Sequence, residues 1–136
     1  MLFLVLTMLL QTKALAVRTI ERGTQSFQET ATTGQARTPA EWSALWKTHA
    51  ADRPLPAVDF TKEMVVAVFM GTRPTAGYGV EIVGTVERNG ALVVQYVETQ
   101  PAARAVTAQV ITMPYHFAAI ARPTGAGMVT FEKVTK

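Results

Sequence analysis

The run Met64-Val65-Val66-Ala67-Val68-Phe69-Met70 constrains this chain more than any other stretch. No polar residue interrupts it to mark a wet face, and its β-branched side chains favour a strand over a helix. A run of this length and composition predicts a central strand buried on both faces. Neither face of such a strand is left to water.

One cover is legible upstream. Thr38-Pro39-Ala40-Glu41 places Thr at an N-cap, Pro at the first helical position and Glu at the third. That is a capping box, which satisfies backbone donors the first helical turn leaves free. Trp42, Leu45, Trp46 and His49 follow at the spacing of one helical face, so a short amphipathic helix with a tryptophan-rich buried side is expected. Pro54 and Pro56 end it in an extended linker.

The rest of the chain reads as strands and turns. Val80, Ile82 and Val86 alternate with Glu81, Val83 and Glu87, Asn89-Gly90 supplies a hairpin turn, and Leu92 to Val97 returns. Val17 to Phe27 is expected to form a first strand with a break at Gly23. Val106 to Thr112, Phe117 to Ala121 and Met128 to Val134 read as further strands, with Met113-Pro114 marking an edge or crossing. Thr30 to Arg37 and Gln100 to Arg104 read as loops. The expected fold is mostly β (α+β): a small antiparallel curled sheet or sandwich of about five to seven strands with one amphipathic helix packed on it.

Residues 1–16 open with an apolar run and end in Ala14-Leu15-Ala16, the small-x-small pattern of an export signal, so cleavage after Ala16 is expected. No Lys or Arg precedes that run. Residues 17–136 then form a single domain, large enough to bury roughly 65–70% of its unfolded surface without covalent staples. Export leads to the periplasm or the extracellular space. The chain has no cysteine, which removes disulfide frameworks, thiol catalysis and cysteine-bound metal together. The net charge of +3 comes from scattered cations, whereas a nucleic-acid surface needs a basic stripe. Neither a membrane span in the mature chain nor a nucleic-acid partner is expected.

Groups for catalysis are few: Ser26 and Ser43, His49 and His116, Asp52 and Asp59. Nothing resembles a nucleophile elbow or a metal-ligand spacing, so neither an enzyme nor a cofactor or metal site is expected. The feature that stands out is Gly71-Thr72-Arg73-Pro74-Thr75-Ala76-Gly77-Tyr78-Gly79. Pro74 fixes its own backbone and biases Arg73 towards extended conformations, and the glycines permit positive φ on either side of Tyr78. A loop so stiffened pays little to bind, and Arg and Tyr are enriched at interface hot spots.

Together with Trp42, Leu45-Trp46, Val58-Asp59-Phe60 and the later Thr112-x-Pro114-Tyr115-His116, these residues resemble the C-terminal domain family of the protease-complex subunit PrcB. The likeness runs from about Pro39 to Val134, with Ala76 where a second glycine is common. It implies an exported, non-enzymatic protein that supports the assembly or stability of a protease complex. On that basis Arg73, Pro74, Thr75, Gly77 and Tyr78 in one loop, and Thr112, Pro114 and Tyr115 in another, are the expected partner contacts. Arg73 to Tyr78 is also similar to the Asn-Pro-Thr-Thr-Gly-Tyr loop of chagasin-type cysteine-protease inhibitors. Arg73 replaces the Asn, and Arg122-Pro123 falls before the Gly-rich stretch rather than after it. That likeness implies the alternative role of a protease inhibitor inserting the loop into a cleft.

Overall fold

A computed structural model describes residues 14–123 and 127–135. The apolar run becomes the strand Glu63–Phe69 (β4), sandwiched as its composition demands. Met64, Val66, Val68 and Met70 point into one core, with Val80, Ile82, Leu92, Val94, Ala118 and Ile120. Val65, Ala67 and Phe69 point into the other, with Trp42, Trp46, Tyr115 and Phe117. This is the period of two that any strand imposes, here with an apolar residue on each side.

Two four-stranded sheets supply the layers. One runs in the order β1 (Ala14–Leu15), β5 (Gly79–Arg88), β6 (Ala91–Thr99), β8 (Val129–Lys133). The other runs β2 (Val17–Gly23), β7 (Tyr115–Ala121), β4, β3 (Thr32–Ala36). The sheets face each other across the first core, and the helix α1 (Pro39–Ala50) covers the outer face of the β4 sheet. The expected sandwich with one helix packed on it is thus the fold observed, in three layers. All strand pairs are antiparallel except β6 with β8. Most of the expected export signal, residues 1–13, lies outside the described residues. Cleavage after Ala16 would take β1 away from the edge of β5.

The helix start keeps the forward half of its capping box, while the return bond from Glu41 falls one residue earlier, on Arg37. Thr38 Oγ1 accepts from the Glu41 N–H at 3.2 Å, and Glu41 Oε1 accepts in return, from the Arg37 N–H at 2.7 Å. The two indoles turn their N–H groups onto the proline linker, Trp42 to the Pro56 carbonyl and Trp46 to the Arg53 carbonyl. Buried indole donors need such partners, so the linker is anchored by the helix it leaves.

Three local expectations are corrected. Residues Thr32 to Ala36, expected as loop, form the edge strand β3. Their small polar side chains hide a strand whose backbone pairs with β4 along its length, and Gly34 leaves the space that Leu45 of the helix fills. In β5 the register shifts between Ile82 and Gly84. That bulge turns Thr85 inward, buried, and leaves Val86 half-buried instead. Finally, residues 106–111, expected as strand, run without a ladder, and only Thr112 makes an isolated bridge, to Arg73. The Asn89-Gly90 turn behaves as expected, with φ of 53° and 79°.

Candidate functional site

The loop 71–79 leaves the central strand β4 and enters β5, so one end sits on the most buried strand of the fold. Gly71 begins it at φ +76°. A Cβ there would lie 2.6 Å from the Ala31 nitrogen and 2.9 Å from the Glu29 oxygen. The next residue, Thr72, donates its N–H to that same Glu29 carbonyl at 3.0 Å. Glycine is therefore required twice, by conformation and by space. Gly71→Ala is expected to cost about 2 kcal/mol or more and to free the Thr72 amide. Hydrogen exchange at Thr72, compared with the Val66 amide in β4, reads the effect. Unchanged protection at Thr72 would contradict it.

The second loop, residues 100–114, comes back alongside the first. Arg73 and Thr112 exchange backbone hydrogen bonds at 2.7 and 2.9 Å, the Ala76 N–H donates to the Ala108 carbonyl at 3.0 Å, and the Thr112 hydroxyl donates to the Thr75 carbonyl at 3.0 Å. Gly77, at φ +99°, lies against Pro101 and Thr107, where a side chain would not fit. The structure thus brings the two expected contact loops together into one braced unit.

What that unit shows to solvent is narrower than the expected set of contact residues. Pro74 and Gly77 are exposed, and Arg73, Thr75 and Tyr78 are half-buried. The Arg73 guanidinium lies over the Tyr78 ring at 5.6 Å, a cation–π stack that sets both side chains on one face. Arg73 Nε is sealed from water without an acceptor. Tyr78 itself leans on the sandwich core. By contrast Thr112, Pro114 and Tyr115 are buried. They hold the second loop from within: Thr112 by its hydroxyl, and Pro114 by accepting the Met70 N–H at 2.9 Å. A cavity of about 340 Å3 opens beside Tyr78, between Gly79-Val80 and Arg22-Gly23-Thr24.

Beneath this face, His116 ties the two sheets together. The Ile82 N–H, at the β5 bulge, donates to His116 Nδ1 at 2.8 Å. The ring proton is therefore on Nε2, which faces Thr19 Oγ1 at 2.9 Å. Beside it the Arg22 guanidinium donates to the Val80 carbonyl at 2.8 Å. Burial of the imidazole, reinforced by the Arg22 charge against the weaker pull of Glu81, pushes the His116 pKa down to about 4.

A second polar cluster was not legible in sequence. Glu21, His49, Ser26, Arg53 and Tyr115 come from four separate segments and meet under the helix C-terminus. His49 is fully buried, with Nε2 at 2.8 Å from Glu21 Oε2 and Nδ1 at 2.8 Å from Ser26 Oγ. Burial raises the Glu21 carboxyl, but hydrogen bonds from Arg53, His49 and Tyr115 outweigh it and hold the group at about 2. The carboxylate has no proton to give, so His49 donates from Nε2 and accepts from the Ser26 hydroxyl at Nδ1. Burial keeps His49 below its ordinary pKa against the pull of Glu21. Burial also raises the Tyr115 phenol, to about 12, with Glu21 adding to it. The line Glu21–His49–Ser26 has the contacts of a hydrolase triad with the imidazole nitrogens exchanged. Ser26 is only 1% exposed, and its Oγ already accepts the Gln28 N–H at 3.0 Å. A substrate carbonyl has no route to that oxygen. The cluster fastens the segment after β2 to the helix end, where Phe27 N–H also reaches the His49 carbonyl.

A comparison with protein families finds one whose description is "PrcB C-terminal", matching residues 64–121. Searches of the curated proteins and of the solved structures find no match. The matched segment runs from β4 through β7, and it contains both loops, the β5–β6 hairpin and His116. This segment, which holds the central strand and every residue of the braced loop pair, is similar to the PrcB C-terminal family.

Proposed function

We propose that this chain is an exported, non-enzymatic accessory domain that binds a protein component of a protease complex through the face carrying Arg73, Pro74, Thr75, Gly77 and Tyr78. The family supplies the protease-complex context. The observation that carries the reading is the bracing of the two loops by Arg73 and Thr112. A recognition surface fixed in advance loses little entropy on binding, and this one mixes an Arg–Tyr stack with exposed backbone around Pro74 and Gly77. Export is supported by the apolar, Ala-x-Ala-terminated N-terminal stretch. The inhibitor role is the weaker reading, because a loop laced to its neighbour at Arg73, Thr75 and Ala76 is poorly suited to enter a narrow cleft.

A photo-crosslinker installed at Pro74, with a control at exposed Lys47 on the helix, tests this in cells. The expected result is a crosslink from position 74, and not from position 47, to a protease or its precursor. Crosslinks from neither position, or from both alike, would overturn the reading. Inhibition of the captured protease by purified protein at micromolar concentration would move the role to inhibitor.

A further inference from the structure

We propose that Arg104 to Ile111 is a strand-shaped docking edge that accepts an extended segment of a protein partner, apolar at alternate positions and acidic at its ends. The inference rests on the protein-binding reading above and names the surface and the chemistry of what it binds.

The segment has the composition of a strand without a ladder. Val106, Thr107, Val110 and Ile111 are β-branched, the type enriched where a pleated surface is covered. Yet Val106 is fully exposed, Ile111 is 62% exposed and Val110 is 51% exposed. Adjacent large apolar side chains left in water mark an interaction surface. The connection from β6 to β7, residues 100–114, is also long beside the roughly 4–6 residues usual between elements.

One edge of the segment is used and the other is free. Thr112 and Ala108 direct their bonding groups at Arg73 and Ala76 of the first loop. Backbone groups alternate sides along an extended chain, so Thr107, Gln109 and Ile111 direct theirs away. Met113 continues that phase, donating to the Thr24 carbonyl and accepting from Ser26. Among the described residues no backbone partner meets Thr107, Gln109 or Ile111. An added strand would satisfy them, the mode by which extended peptides join sheet edges. The cavity beside Tyr78 is lined by Thr24, the residue bonded to Met113, so it lies at the end of this edge and offers a side-chain seat.

Charge selects the occupant. Arg104 stands at one end, in left-handed backbone at φ 70°, and the Arg73 guanidinium lies by the other, over the Tyr78 ring that lines the cavity there. Among the described residues neither makes an ion pair. A second copy of this chain would set these cations against each other. Antiparallel pairing brings Arg104 to the Arg73 end, parallel pairing brings Arg104 to Arg104, and like charges across strands are unfavourable. A partner with carboxylates at both ends meets both arginines.

The test uses a blocked synthetic peptide, Asp-Val-Thr-Val-Thr-Val-Asp, titrated into the protein and followed by amide NMR. Shifts and new exchange protection at Thr107, Gln109 and Ile111 are expected. A Lys-ended peptide, an N-methylated peptide, and the variants Val110→Asp and Ile111→Asp should each weaken binding about tenfold or more. Val83→Asp, on β5, serves as the surface control and should bind as the parent does, and denaturation midpoints confirm that each variant is folded. The inference falls if millimolar peptide leaves 104–111 unshifted, if Lys-ended peptide binds equally, or if dilution shows self-association through this edge. A crosslink from position 74 to a protease together with an unshifted 104–111 segment would sink this inference and leave the proposed function standing.

Discussion

Phe117→Ala is expected to remove a large share of the stability of this domain, about 3–5 kcal/mol. Phe117 is fully buried at the middle of β7, between β2 and β4. Its ring meets Trp42, Trp46, His49, Phe69 and Tyr115, with centroids between 4.7 and 5.9 Å. It therefore joins the helix indoles, the Phe69 ring of β4 and the Tyr115 and His49 rings of the polar cluster. Aromatic pairs add about 0.5–1.5 kcal/mol each beyond area, and a β-sheet residue cannot slide to close the gap. Domains of this size hold roughly 5–15 kcal/mol in total, so the variant's urea midpoint should fall by about a third or more. A loss below about 1 kcal/mol would show that helix and sheet are held together elsewhere.

How far such a core can be read in advance depends on whether each residue's environment is set locally. The run at Met64 to Met70 needs two covers whatever else the chain does, and the Thr38 box and Asn89-Gly90 turn are complete within four residues, so all three were legible. Thr32 to Ala36 was not. Its strand exists because β4 offers a backbone edge and Leu45 needs the space above Gly34, and neither fact lies in those five residues. Val106 to Thr112 fails in the opposite sense: strand composition is present and the partner strand is not. The parallel pairing of β8 with β6 likewise depends on where the chain crosses between sheets.

The site divides in the same way. Pro74 and the flanking glycines announce a stiff loop by their own backbone chemistry. That Thr112 would be the brace between two loops, and Pro114 and Tyr115 interior supports, follows only once the loops meet. The cluster of Glu21, Ser26, His49 and Arg53 spans distances along the chain that no motif records. Its only advance signal was a His on the apolar face of a helix, and such a ring must find polar partners when buried.

Acid should weaken this protein well before its carboxylates titrate. His116 accepts the Ile82 N–H and so must stay neutral in the fold, where its pKa is about 4 against an ordinary 6.5. Above pH 6.5 folded and unfolded chains are both neutral at this residue, and the full stability is present. Between 6.5 and 4 the unfolded chain takes up a proton the folded one refuses, so stability falls as pH falls, by about 3 kcal/mol across the window. His49, also held below its ordinary value by burial, acts in the same direction. Glu21, held at about 2, adds a further loss only below about pH 4.5. Urea melts at pH 7.5 and 4.5 should therefore differ by about 2–3 kcal/mol or more. His116→Asn, whose amide oxygen can stand in for Nδ1, should be less stable at pH 7.5 yet lose distinctly less on going to 4.5. An imidazole signal of His116 titrating near 6.5 in the folded protein, or an unchanged pH slope in the variant, would refute this. Because the bond from Ile82 sits at the bulge of β5, four residues beyond Tyr78, its loss should first loosen the platform under the paired loops. Amides of the paired loops should accordingly lose exchange protection with falling pH before the helix and β4 unfold.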